Sequence, residues 1–183
     1  AVGAAGGLLQ YVRDTQRAAL PHIRGLMTES RDEAVILDAA TRRNLEIERS
    51  LSERSESCLA GVMDRTVTAM GSRLLRRWLA RPLRDIQAVG QRHVAVAELL
   101  EQERHRPLQD ELGGMGDLER ILARIALGSA RPRDLAVLRD SLALLPALQA
   151  LLALREASLL QSLARDAGTH PEVLDLLRRA LIE

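Results

Sequence analysis

Residues 63–82 read Met63-Asp-Arg-Thr-Val-Thr-Ala-Met-Gly-Ser-Arg-Leu-Leu-Arg-Arg-Trp-Leu-Ala-Arg-Pro82, which places a turn, an amphipathic helix, the only Trp and a stop signal in one short stretch. Asp64, Thr66 and Thr68 carry short polar side chains that bond nearby backbone, so they favour a turn and then an N-cap. Gly71 lies near the start of the helix. Leu74, Leu75, Trp78 and Leu79 share one helical face, while Arg73, Arg76, Arg77 and Arg81 point elsewhere. Pro82 ends the helix and pushes Arg81 out of helical geometry. Trp78, on the apolar face, is expected to be the central packing residue of this anchor, so Trp78→Ala should cost ~3–5 kcal/mol.

Working outward in the N-terminal direction, Leu8, Leu9, Val12, Gln16 and Ala19 line one side of a helix from about Ala4 to Ala19 that Pro21 closes. Ile23–Met27 and Ala34–Leu37 read as short extended runs around a polar loop, consistent with a small β-hairpin. Asp38 then caps a helix through Thr41, Asn44 and Leu45 to Leu51, with Leu45 and Ile47 facing inward. Residues 50–57 look like a solvated loop, and Cys58–Met63 a short helical turn.

In the C-terminal direction, Asp85 caps a long helix whose Ile86, Val89, His93, Val96, Ala97 and Leu100 form an apolar stripe until Pro107 breaks it. His93 on that stripe reads as a core or boundary residue. Gly113-Gly-Met-Gly116 marks a turn, and Asp117 starts a helix with Leu118, Ile121, Leu122 and Ile125 on one face, ended by Gly128. Ser129 and Pro132 announce the next helix, striped by Leu135, Leu138, Leu142 and Leu145. Pro146 is expected to interrupt this Leu-rich span, and its apolar positions hold no strict heptad for long. Thr169 and Glu172 match a capping box for a last helix carrying Val173, Leu174, Leu177 and Leu181. Short connections favour antiparallel neighbours. The fold class is therefore mostly α, a multi-helix bundle with a small β-hairpin near the N-terminus. Residues 1–57 form helix, hairpin and the approach to the next helix, and residues 58–183 form the bundle, all within one partial domain.

The 183 residues suffice to bury roughly 70% of the unfolded surface. With 46% hydrophobic and 28% charged residues and a net charge of +1, bulk charge names no partner. The single Cys58 excludes an internal disulfide, suits a reducing cytosol and reads as a small buried thiol. His22, His93, His105 and His170 are scattered, with no metal-ligand spacing. No apolar run approaches the ~20 residues of a membrane span, so no membrane partner is expected. There is no initiator Met and the chain opens inside a periodic segment, which suggests a piece of a larger protein.

Catalytic signatures are missing. Every basic residue is Arg, so Gly113-Gly-Met-Gly116 cannot belong to a P-loop, which needs Gly-x-x-x-x-Gly-Lys. No Gly-x-Ser-x-Gly elbow, Cys/His pairing or His-Glu-x-x-His pattern occurs. Between Arg65 and Arg92 there are seven Arg against one acid, Asp85, a net of +6. Such a face can bind phosphates, which makes Arg73, Arg76, Arg77 and Arg81 the nucleic-acid candidates. Pairing with acids of neighbouring helices is the favoured alternative, because Trp78 is the one aromatic in the cluster and no base-reading side chains are evident. A helix-turn-helix reading of Ile125–Leu145 is possible in form but weakly specified.

The anchor's pattern, together with Leu37-Asp-Ala-Ala-Thr-Arg-Arg-Asn-Leu-Glu46, Gly116-Asp-Leu-Glu-Arg-Ile-Leu-Ala-Arg-Ile-Ala126 and Ala130-Arg-Pro-Arg-Asp-Leu135, resembles the core domain of bacterial members of the MutS family of DNA mismatch-repair proteins. The resemblance weakens after about Leu151. It implies the first of two core segments, starting after the connector domain and stopping near the DNA-backbone clamp. Asp38, Asn44, Asp64, Thr66, Thr68, Gly71, Arg73, Trp78 and Asp117 match the core pattern as structural positions. Whole proteins of this family bind mismatched double-stranded DNA, pair with a second MutS subunit, recruit a MutL-type factor and use ATP and Mg, in the bacterial cytoplasm. With no Phe and no Lys, this chain has neither the Phe-x-Glu mismatch reader nor the Walker A site. No catalytic, cofactor or metal residue is expected in it, and the implied role is mechanical coupling. The rivals are a free-standing helical adaptor for protein partners and a weak basic DNA-binding module.

Overall fold

A computed structural model describes residues 2–16, 25, 33–52 and 57–181. The described residues are helical apart from turns and one isolated bridge, with no strands: α1 Val2–Gln16, α2 Ala39–Asn44, α3 Leu59–Met63, α4 Ala69–Ala80, α5 Ile86–Leu100, α6 His105–Gly113, α7 Leu118–Ala126, α8 Pro132–Ala153, α9 Ser158–Asp166 and α10 Pro171–Ala180.

The caps act as the local sequence dictates. Asp38 accepts from Thr41 N (2.6 Å), Thr68 from Gly71 N (3.0 Å), Asp85 from Gln87 N (2.8 Å) and Asp117 from Arg120 N (3.3 Å). Each satisfies a donor that the first helical turn leaves open. Gly128, at φ +66°, stops α7. Thr169 and Glu172 do not form the expected box: His170 takes the N-cap position at φ 44°, with Pro171 opening α10.

The hub is α8, on which α6, α7, α9 and α10 pack, while α5 packs on α9. Ile121, Leu138, Leu142, Leu174 and Leu177 form the main core, and Leu118, Leu135 and Leu145 lean on it. A second cluster joins Ala95 to Ala157 and Leu160. Two backbone contacts set the spacing. A Cβ on Gly116 would lie 2.2 Å from Val137 Cγ1, so only glycine lets the turn approach α8 this closely. The fully buried Ser141 there accepts from Gly116 N (2.9 Å) and donates to Val137 O (2.7 Å).

Several expectations need correction. The first run of the expected hairpin, Ile23–Met27, lies outside the described residues except for Gly25, as do Ala19 and Pro21. The hairpin is not shown, and in its second run Ala34 makes one antiparallel bridge to Leu83, with Val35 N donating to Pro82 O (2.8 Å) and Arg84 N to Glu33 O (3.1 Å). The open edge of the extended Pro82-Leu83-Arg84 stretch supplies the partner. α2 ends at Asn44 because Glu46 adopts φ 47°, which buries Ile47 but leaves Leu45 exposed. The break after α5 comes before Pro107, at Gln102 and Glu103, both with positive φ; Pro107 sits in the first turn of α6, where its missing N–H costs nothing.

Pro146 does not interrupt α8, which runs through it. This continuous helix has a window of mean hydropathy 1.5 and is long and apolar enough to cross a membrane by length and composition, contrary to the reading from runs alone. Its leucines instead meet four helices, and Asp134, Arg139 and Asp140 occupy its first half. The stripe on α5 is also turned largely outward, with Val89 alone of its residues half-buried. Ile86, Val96 and Leu100 are exposed, as is His93, whereas Ala95 and Glu98 are buried.

Candidate functional site

The anchor is built from the Asp64 turn upward. Asp64 accepts from Thr66 N (3.2 Å), Thr66 Oγ1 (2.6 Å) and the hydroxyl of Ser72 in α4. Gly71 is where the turn folds against the helix: a Cβ there would meet Thr68 Oγ1 at 3.0 Å and Thr66 Cβ at 3.2 Å. The hydrogen bonds from Ser72 and then Thr66 hold the Asp64 carboxyl below the usual carboxylate range, with the nearby Arg76 charge adding to the effect. The site candidates Asp64, Thr66, Thr68 and Gly71 therefore meet in one turn, whereas Asp38 and Asn44 lie apart on α2, at its cap and its exposed last residue.

The arginines divide. Arg73 reaches across 44 residues of chain to hold Asp117 through two bonds (Nη1 2.8 Å, Nη2 2.6 Å) and Glu119 through Nε (3.0 Å) and Nη2 (2.7 Å). This fork is the geometry that suits guanidinium and carboxylate. Asp117 thus caps α7 and ties it to α4, and Arg73 holds its carboxyl below the ordinary range. Arg76 and Arg77 are exposed and make no ion pair among the described residues, and Arg81 is exposed at the end of α4. Trp78 is not the centre of a core. It is 41% exposed, and the Arg92 guanidinium lies 3.6 Å from its ring centroid, so one face of the ring meets a cation.

A second basic group was not legible in the anchor. α2 and its following turn bring Arg42, Arg43 and Arg49 around a cavity of about 510 Å³ that Glu48, Ser50 and Leu51 also line. Arg42 also lines a neighbouring cavity of about 380 Å³ with Arg81. The fold-back that gathers them is local: Ile47 N donates to Arg42 O (3.1 Å) and Glu46 N to Arg43 O (3.0 Å). Only the positive φ of Glu46, which sequence does not announce for a glutamate, makes that turn.

Two structural carboxylates also escaped notice. Glu98, buried at 8% exposure, accepts from Glu156 N (2.9 Å) and Ala157 N (2.7 Å), so a neighbouring helix holds the backbone that enters α9. Those N–H groups, Ala157 first, hold its pKa below the usual range. Asp134 accepts from Arg131 N (3.0 Å) and pairs with Arg124 (2.7 and 3.0 Å), joining α7 to α8. Cys58 is buried and reduced; its sulfur caps α3 by accepting from Gly61 N (3.4 Å) and donates to Glu48 O (3.3 Å). Among the described residues no group of three His, Cys, Asp or Glu side chains is placed to hold a metal ion.

The site is thus a set of struts between helices flanked by exposed guanidinium groups, with no nucleophile and base brought together among the described residues. The family described as MutS domain III matches residues 40–183, from the second residue of α2 through every helix of the bundle. The anchor, the Asp117 turn and the bundle all fall within that match, and the chain belongs to the MutS domain III family.

Proposed function

We propose that this chain is the lever-like core segment of a mismatch-repair protein, transmitting position between parts that bind DNA and parts that bind nucleotide. The supporting observation is the fate of Arg73. The least exposed of the four candidate arginines is spent on Asp117 and Glu119, which makes the anchor a strut between α4 and α7. The whole protein would take mismatched double-stranded DNA, a second MutS subunit and a MutL-type repair factor as partners. It would work in the bacterial cytoplasm, with ATP and Mg held outside these residues. A Walker A sequence is absent from the 183 residues.

Fluorescence anisotropy of matched and mismatched duplexes, titrated with this chain at low and near-physiological salt, tests the reading. Binding should be weak, equal for the two duplexes and abolished by salt. A preference for the mismatch at physiological salt would place recognition in these residues and end the coupling proposal.

A further inference from the structure

Among the described residues, two acids beside the α2 turn are engaged in local hydrogen bonds. Asp38 caps Thr41, and Glu46 accepts from Leu51 N (2.6 Å) and Ser50 Oγ (3.4 Å). Arg42, Arg43 and Arg49 make no ion pair among the described residues, although all three line one cavity. Glu48 is the single acid among the described residues of that lining. The turn is held in shape by the backbone bonds to Arg42 and Arg43 and by Leu59 N and Ala60 N, which donate to Glu46 O and Ile47 O at 2.9 and 2.8 Å. Three planar guanidinium groups on a braced backbone, around a space large enough for a phosphate and its substituent, concentrate positive charge that the acids among the described residues, Glu48 in the lining and Asp38 near Arg42, balance only in part.

We infer that the α2 turn is a phosphate-binding cradle, with Arg42, Arg43 and Arg49 contacting a phosphate of a nucleic-acid backbone or of a free phosphorylated ligand. Arg81, across the adjoining cavity from Arg42, extends the basic surface toward the anchor. The cradle reads charge and not bases, so it is compatible with equal binding of matched and mismatched duplexes.

The test uses the whole 183-residue chain and two probes, a short matched duplex at low salt and pyrophosphate, the latter followed through arginine side-chain NMR signals. Arg42→Gln/Arg43→Gln/Arg49→Gln should weaken duplex binding at least about tenfold and lower the slope of log affinity against log salt by about two to three. Arg76→Gln/Arg77→Gln should leave the pyrophosphate response unchanged. Glu48→Gln should tighten binding about two- to threefold, an effect that a purely structural turn would not show. A response to pyrophosphate that the triple variant loses, with duplex binding unaltered, assigns the cradle to a free phosphate ligand. If the triple variant fails to fold, Glu48→Gln and the exposed single changes Arg43→Gln and Arg49→Gln carry the same comparison. Equal binding by parent and variants, or no response of the parent to either probe, overturns the cradle. Neither result bears on the coupling role, which only a mismatch preference would sink.

Discussion

Gly116 and Trp78 show how one side chain's environment reverses what its type suggests. At Gly116 an added methyl group would fall inside the Val137 side chain, so Gly116→Ala must displace Val137 or the turn that packs on it. Overpacking of this kind costs about 1–3 kcal/mol, and a thermal melt should show it as a clear drop in midpoint. At Trp78 the opposite holds. With 41% of the residue exposed and Arg92 on its ring, Trp78→Ala should cost about 1–2 kcal/mol, combining partial burial with one cation–π contact. A loss as large as the ~3–5 kcal/mol first expected from full burial would show that the ring is covered in solution.

Among the elements, α9 depends on a residue from α5. The backbone donors of Glu156 and of the cap residue Ala157, which lead into it, are satisfied by Glu98, while Ala157 has no side-chain acceptor of its own. Glu98→Ala should therefore fray α9 from its start. Hydrogen exchange would report faster amides in Ser158–Gln161 and little change in α10, and unchanged exchange in α9 would refute the cap. The same carboxylate explains the outward-turned stripe of α5. Ala95 is small enough for α9 to come close, and Glu98 lies one turn further on to meet its N-terminus, so the longer apolar stripe faces outward.

Beside the apolar core, five carboxylates spread along the molecule make bonds that favour their ionised form. Asp38, Asp64, Glu98, Asp117 and Asp134 all have pKa values lowered by hydrogen bonds from backbone, hydroxyl or guanidinium donors. A lowered pKa means that the unfolded chain takes up protons at higher pH than the folded one. The stability each group contributes is thus fully present above the ordinary carboxylate range and is lost as pH falls through the folded value. Urea midpoints should stay level from about pH 7 to pH 5 and then fall steeply below about pH 4. A midpoint independent of pH between 5 and 3 would show that these bonds add nothing to the native state.

At this scale the legible and the hidden parts separate cleanly. The caps at Asp38, Thr68, Asp85 and Asp117, the turn at Asp64 and the leucine stripe of α8 follow from the sequence alone, because each rests on residues within one or two helical turns of each other. Gly128 as a stop follows for the same reason. The partner of Arg73, the cap supplied by Glu98, the exposed side of Trp78 and the gathering of Arg42, Arg43 and Arg49 were decided by tertiary structure. Each depends on which segment arrives opposite, and a chain's local pattern sets the helices and their ends without specifying which of two usable faces its neighbours will cover.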